Sequence, residues 1–91
     1  MNEKELRIIL LHEAAGEGYG DGFDRNPLML KDGEFREFIC RTVRWISKYP
    51  GYKALKSMDL DAIDEDPEFY QTYCNAYNKG GHDYYNLEMK A

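Results

Sequence analysis

The sharpest alternation of apolar and polar positions runs from residue 35 to residue 49. Phe35, Phe38, Ile39, Thr42, Trp45, Ile46 and Tyr49 recur at steps of three and four, and Glu37, Arg41, Arg44 and Lys48 fall on the opposite side. That is the period of an amphipathic helix with one face against a core. Asp32 stands where an N-cap belongs, and Pro50-Gly51 forbids continuation. The pattern predicts a helix over about 33–48. A second apolar face is made by Leu6, Ile9, Leu10 and Ala14, broadened by Ile8, Leu11 and Ala15. Asn2 with Glu5 has capping-box spacing, and Gly16 suits the residue after a helix end, so this helix is expected over 3–15. Asp66-Pro67-Glu68 supplies a cap, a first-position proline and an acid in the first turn. Phe69, Tyr73, Ala76 and Tyr77 follow on one face, with Tyr70 and Cys74 beside them, and Gly80-Gly81 is read as the stop of a helix over 67–78.

Shorter signals fill the gaps. Leu28-Met29-Leu30 reads as a strand fragment or a packing loop, residues 52–58 as a helical turn, and Leu60 and Ile63 as positions turned toward the core. The sum is a mostly α fold: one small helical domain spanning 1–91, with three principal helices, one or two short turns and little or no β structure. Short connections favour antiparallel neighbours.

The glycines of "GEGYGDGFD" (16–24) interrupt this pattern and predict a Gly-rich acidic loop at 16–27. A phosphate cradle needs such glycines ahead of a helix N-terminus, where backbone N–H groups and the helix dipole face the anion. Here they follow a helix and carry Glu17, Asp21 and Asp24. In an EF-hand register that starts at Glu17, Tyr19 and Leu28 occupy ligand positions 3 and 12, and neither can coordinate calcium. A small-ligand or calcium-binding regulatory loop is therefore carried as an alternative only. Tyr19 and Phe23 would be displayed on this loop or packed under it.

Composition narrows the function classes. A chain of 91 residues buries a little over ~60% of its unfolded surface, which leaves scant volume for both a core and a deep cleft. The net charge of -5 disfavours nucleic acid and anionic membranes as general partners and leaves a basic protein partner open. Eight tyrosines and a single tryptophan offer amphipathic contact area. The acid-preceded run "IILL" is no signal peptide or membrane span, which makes a cytoplasmic setting the expectation. Cys40 and Cys74 read as buried free thiols. "HEAAG" opens like a zinc-protease helix, but Gly16 stands where the second histidine is needed. No metal, cofactor or nucleophilic set is expected, so the chain is read as a non-enzyme.

Charge is also segregated. Arg36, Arg41, Arg44, Lys48, Lys53 and Lys56 face one acid, Glu37, and then Asp59, Asp61, Asp64, Glu65, Asp66 and Glu68 follow with no base. In extended chain, alternate acids such as Asp59 and Asp61 lie about 6–7 Å apart, close to the phosphate repeat of a nucleic-acid strand. The leading expectation is a protein-interaction module: a small acidic inhibitor or adaptor, of a phage or mobile-element anti-defence type, that occupies a basic nucleic-acid-binding groove. Its candidate contact residues are Asp59, Asp61, Asp64, Glu65, Asp66, Glu68, Tyr19, Phe23, Tyr70 and Tyr77. Self-association through the tyrosines would give a homodimer. A further alternative is nucleic-acid contact through the basic stretch 36–56, with Trp45, Tyr49 and Tyr52 stacking on bases.

Overall fold

The computed structural model describes residues 3–46, 48 and 66–90. There are three α-helices, α1 (Glu3–Phe23), α2 (Arg36–Ile46) and α3 (Pro67–Lys90), and a π-type turn, Lys31–Phe35, kinked at Gly33, leads into α2. The described residues contain no strand, so the mostly α expectation holds. The expected turn at 52–58, Tyr49, Leu60 and Ile63 lie outside the described residues.

Two helix ends are corrected. α1 continues through the glycines to Phe23, so the expected Gly-rich loop at 16–27 is helical over its first eight residues. α3 likewise passes through Gly80-Gly81 to Lys90. The end of α1 comes later, in a Schellman arrangement. Asn26 N–H donates to the Asp21 carbonyl (2.8 Å), Arg25 N–H donates to the Gly22 carbonyl (3.2 Å), and Arg25 takes the left-handed conformation (φ 59°). Pro27 then blocks any continuation.

The glycines persist inside helices because the helices meet backbone to backbone. A Cβ added at Gly18 would sit 2.3 Å from the Tyr73 carbonyl oxygen. One at Gly22 would sit 2.0 Å from that of Tyr77, and one at Gly80 would sit 2.2 Å from that of Tyr19. Buried positions on α1 fall every fourth residue: Leu6, Leu10, Ala14, Gly18, Gly22. This row loses volume steadily along the helix. On α3 the facing series is Phe69, Tyr73, Ala76, Gly80. The helices therefore touch at their glycine ends and are held apart by large side chains at their starts.

The same contacts set the relative direction. Arg7 lies over the Phe69 ring, Gly18 meets Tyr73 and Ala76, Gly22 meets Tyr77 and Gly81, and Phe23 meets Tyr84. Both residue numbers climb together, so α1 and α3 run parallel, against the antiparallel expectation. The long stretch between them, which includes α2, carries the chain back to the starting end.

α2 fills the open end of this wedge. Phe35, Phe38, Ile39, Val43 and Ile46 join Leu6, Leu10, Ala14, Phe69 and Tyr73 in one core. Buried Thr42 donates its hydroxyl to the Phe38 carbonyl one turn back (2.9 Å). Glu34, rather than Asp32, takes the Leu30 N–H at the start of the π turn (2.9 Å). Ile8, expected on the apolar face of α1, is exposed. Cys40 and Cys74 are free thiols but only half-buried.

Candidate functional site

The tyrosine stripe of α3 is absorbed by the fold. Tyr70 donates to the Met29 carbonyl (2.7 Å), and Tyr77 donates to the Asn26 carbonyl. Between them, fully buried Tyr73 donates to the Asp21 carboxylate (2.8 Å) and accepts the Met29 N–H (3.0 Å). Three hydroxyls at successive turns thus fasten residues 26–29 onto α3; of "LML" only Met29 packs against the core, while Leu28 and Leu30 are exposed. Burial, chiefly, pushes the Tyr73 hydroxyl far above its ordinary value, with the Asp21 carboxylate adding to the shift and the Met29 N–H opposing it. Tyr70 and Tyr77, expected as contact residues, are therefore latches.

Tyr19 and Phe23 are likewise engaged. They stack with ring centroids 6.1 Å apart, and Phe23 meets Tyr84 edge-on at 5.6 Å. The Tyr19 hydroxyl donates to Asp83 (2.8 Å), a bond that raises the tyrosine and holds the Asp83 carboxyl below its usual range. The Arg25 guanidinium covers the Tyr84 ring at 4.6 Å. Both aromatics stand on a helix rather than on the expected loop.

Of the acidic candidates, Asp59, Asp61, Asp64 and Glu65 lie outside the described residues. Asp66 caps α3 by accepting the Glu68 N–H (3.0 Å). Arg7 reaches across from α1 to both Asp66 and Glu68. The backbone N–H first, then Arg7, hold the Asp66 carboxyl below the usual range. These two acids tie α1 to α3. The calcium alternative loses its loop: carbonyls of residues 16–19 accept helical N–H groups and cannot wrap an ion.

Among the described residues, an open groove of about 440 Å³ lies between α1 and α2, lined by Glu13, Glu17, Phe38, Arg41, Thr42 and Trp45. Trp45, expected in the core stripe, is 56% exposed. At 100° per residue it falls just beyond one edge of the buried arc, while Val43 extends that arc at the opposite edge. Glu13, Glu17 and Asp21 stand four apart on one face of α1, where like charges repel. Partial burial, then Asp21 and Glu13, raise the Glu17 carboxyl above its ordinary value, while Arg41 acts in the opposite direction. The groove thus sets two crowded carboxylates opposite an exposed indole and one guanidinium. Neither Glu13 nor the outward turn of Trp45 was anticipated. The carboxylate spacing is visible in the sequence, but reading Gly16 as a helix end hides it.

Comparisons with protein families, with curated proteins and with solved structures find no match to this chain. No helix among the described residues is long and apolar enough to cross a membrane.

Proposed function

We propose that this chain is a non-enzymatic protein-interaction module that receives a cationic segment of a partner protein in the groove between α1 and α2. The observation that carries this reading is the pairing of Glu13 and Glu17 with an exposed Trp45 around one open groove. Stacked like charges cost helix stability, and an exposed indole forgoes burial, so both features are unfavourable for the free domain and favourable for a complex. The groove's hydroxyl, on Thr42, donates to the Phe38 carbonyl of its own helix. The finer reading, a cytoplasmic inhibitor of phage or mobile-element type directed at a basic nucleic-acid-handling enzyme, draws on small size and net negative charge alone.

A second reading has its own support. Arg41, Arg44 and Trp45 are exposed side by side on α2, with exposed Lys48 just beyond its end, a basic and aromatic face that suits nucleic acid. Affinity capture with the whole chain, followed by mass spectrometry, tests the two. A protein with a basic contact surface, held at low salt and released as salt rises, is expected. Retention of nucleic acid alone, or of nothing at either salt, would sink the module reading.

A further inference from the structure

We infer that the α1–α2 groove reads an arginine side chain of the partner, in preference to lysine. This inference rests on the interaction-module reading above and deepens it. The groove has an anionic wall, Glu13 and Glu17 on α1, an apolar floor at Phe38, and a second wall where Trp45 is exposed beside Arg41. An occupant must bring positive charge to the first wall and apolar or π surface to the floor and the indole. Residues four apart on a helix have Cβ atoms about 5–6 Å apart, so the two carboxylates present neighbouring acceptors rather than one. A guanidinium carries five N–H donors in a planar fork, engages carboxylates with two bonds at once, and lies flat on an aromatic face. It is also weakly hydrated, so it surrenders little on leaving water, whereas an ammonium is a compact and strongly hydrated charge. The methylene stem of the incoming side chain lies along Phe38 and Trp45.

Arg41 sharpens the argument, because it shares the groove and already acts on Glu17. It competes with an incoming cation for the Glu17 carboxylate. Its removal therefore strengthens the binding of an arginine, while the same removal weakens any contact with nucleic acid. The sign of one substitution separates the two occupants.

Trp45 is the chain's single tryptophan, so its fluorescence reports the groove directly. The whole chain is titrated with hexa-arginine, hexa-lysine and a six-nucleotide single-stranded DNA. Hexa-arginine is expected to give a saturable change in Trp45 emission, with hexa-lysine several-fold weaker and the DNA silent. The Glu13→Gln/Glu17→Gln double variant loses about tenfold or more in affinity, the scale of one charge-assisted contact. Arg41→Gln binds hexa-arginine more tightly. Circular dichroism identical to that of the original chain accompanies both variants. Equal response to the two peptides, or indifference to the double substitution, overturns the inference. A response confined to DNA and weakened by Arg41→Gln overturns it in favour of the basic face of α2. An emission that changes with protein concentration in the absence of peptide makes a second copy the occupant and also overturns it. If the double variant still retains the captured protein, the groove inference falls and the module reading stands; if no protein is captured, the module reading falls as well.

Discussion

The α1–α3 pair has two ends built on opposite rules. At one end Gly18, Gly22 and Gly80 let the backbones touch, with no room for even a methyl group. At the other end Leu6, Leu10 and Phe69 force the helices apart, and α2 enters the gap. Side-chain volume along one row of positions therefore sets the separation of two helices, and that separation decides where a third can dock. The glycine end has its own cost. Each glycine in a helix is about 1 kcal/mol less favourable than alanine. At positions 18 and 22 that cost is offset by close backbone packing and by weak Cα–H···O contacts of the kind seen where helices approach closely. At Gly16 and Gly20 nothing lies within 4 Å of an added Cβ, and nothing in the structure explains those two glycines.

The strongest way to break this contrast is Gly22→Ala. The new methyl would press on the backbone of Tyr77, which cannot rotate away, so the helices must part. A loss of about 3 kcal/mol is expected, at the upper end of overpacking effects, read by urea denaturation. A loss below about 1 kcal/mol would show that the glycine end is not tightly closed. Next in size is Tyr73→Phe, which sits between the two ends. It removes a hydroxyl that donates to Asp21 and accepts from Met29. The Met29 N–H is left without this partner, and about 1–3 kcal/mol should be lost. Loss of protection at the Met29 amide in hydrogen exchange would place the effect in the latch. Gly16→Ala and Gly20→Ala should have the opposite sign to Gly22→Ala in the same helix. Each should raise stability by about 0.8–1 kcal/mol, since propensity is gained and no contact is strained. A loss at either position would show an unseen neighbour.

The smallest effect concerns charge. Glu17→Gln should stabilise by a few tenths of a kcal/mol at neutral pH by relieving repulsion from Glu13 and Asp21. The folded carboxyl titrates above its unfolded value, so the penalty it imposes is absent below the unfolded value and appears as pH rises through the folded one. The gain from Glu17→Gln should accordingly vanish below about pH 4. Asp66 has the reverse sign: its folded value is lowered, so its contribution is present above the unfolded value and is lost as pH falls through the folded one. Thermal melts of both forms from neutral to acid pH should show the original chain losing stability on acidification while the gap between the forms closes.

How far the fold was legible depended on which contacts were local. α2 was readable because its period depends only on one face meeting a core, and the start of α3 was readable because Asp66 satisfies a neighbouring N–H. α3 was misread at Gly80 because glycine is a stop signal only while nothing rewards its smallness; α1 was misread at Gly16, which has no such reward itself, because Gly18 and Gly22 beyond it do. The reward here comes from another helix some sixty residues away in the chain. For the groove, the Glu13–Glu17 pairing is legible only once α1 is known to continue, and the exposure of Trp45 only once Val43 and Ile46 are known to face inward.

By itself, then, the amino-acid order determined a mostly α chain, the amphipathic face of α2, the cap of α3 and the acidic balance. These depend on periodicity, on neighbours within a few residues, or on composition. The tertiary structure alone decided that α1 and α3 run parallel, that four glycines lie within one helix, that the tyrosines latch a loop, and that two carboxylates face a tryptophan across an open groove. Each of those depends on distances between residues remote in sequence, which side-chain volume sets only after the helices have met.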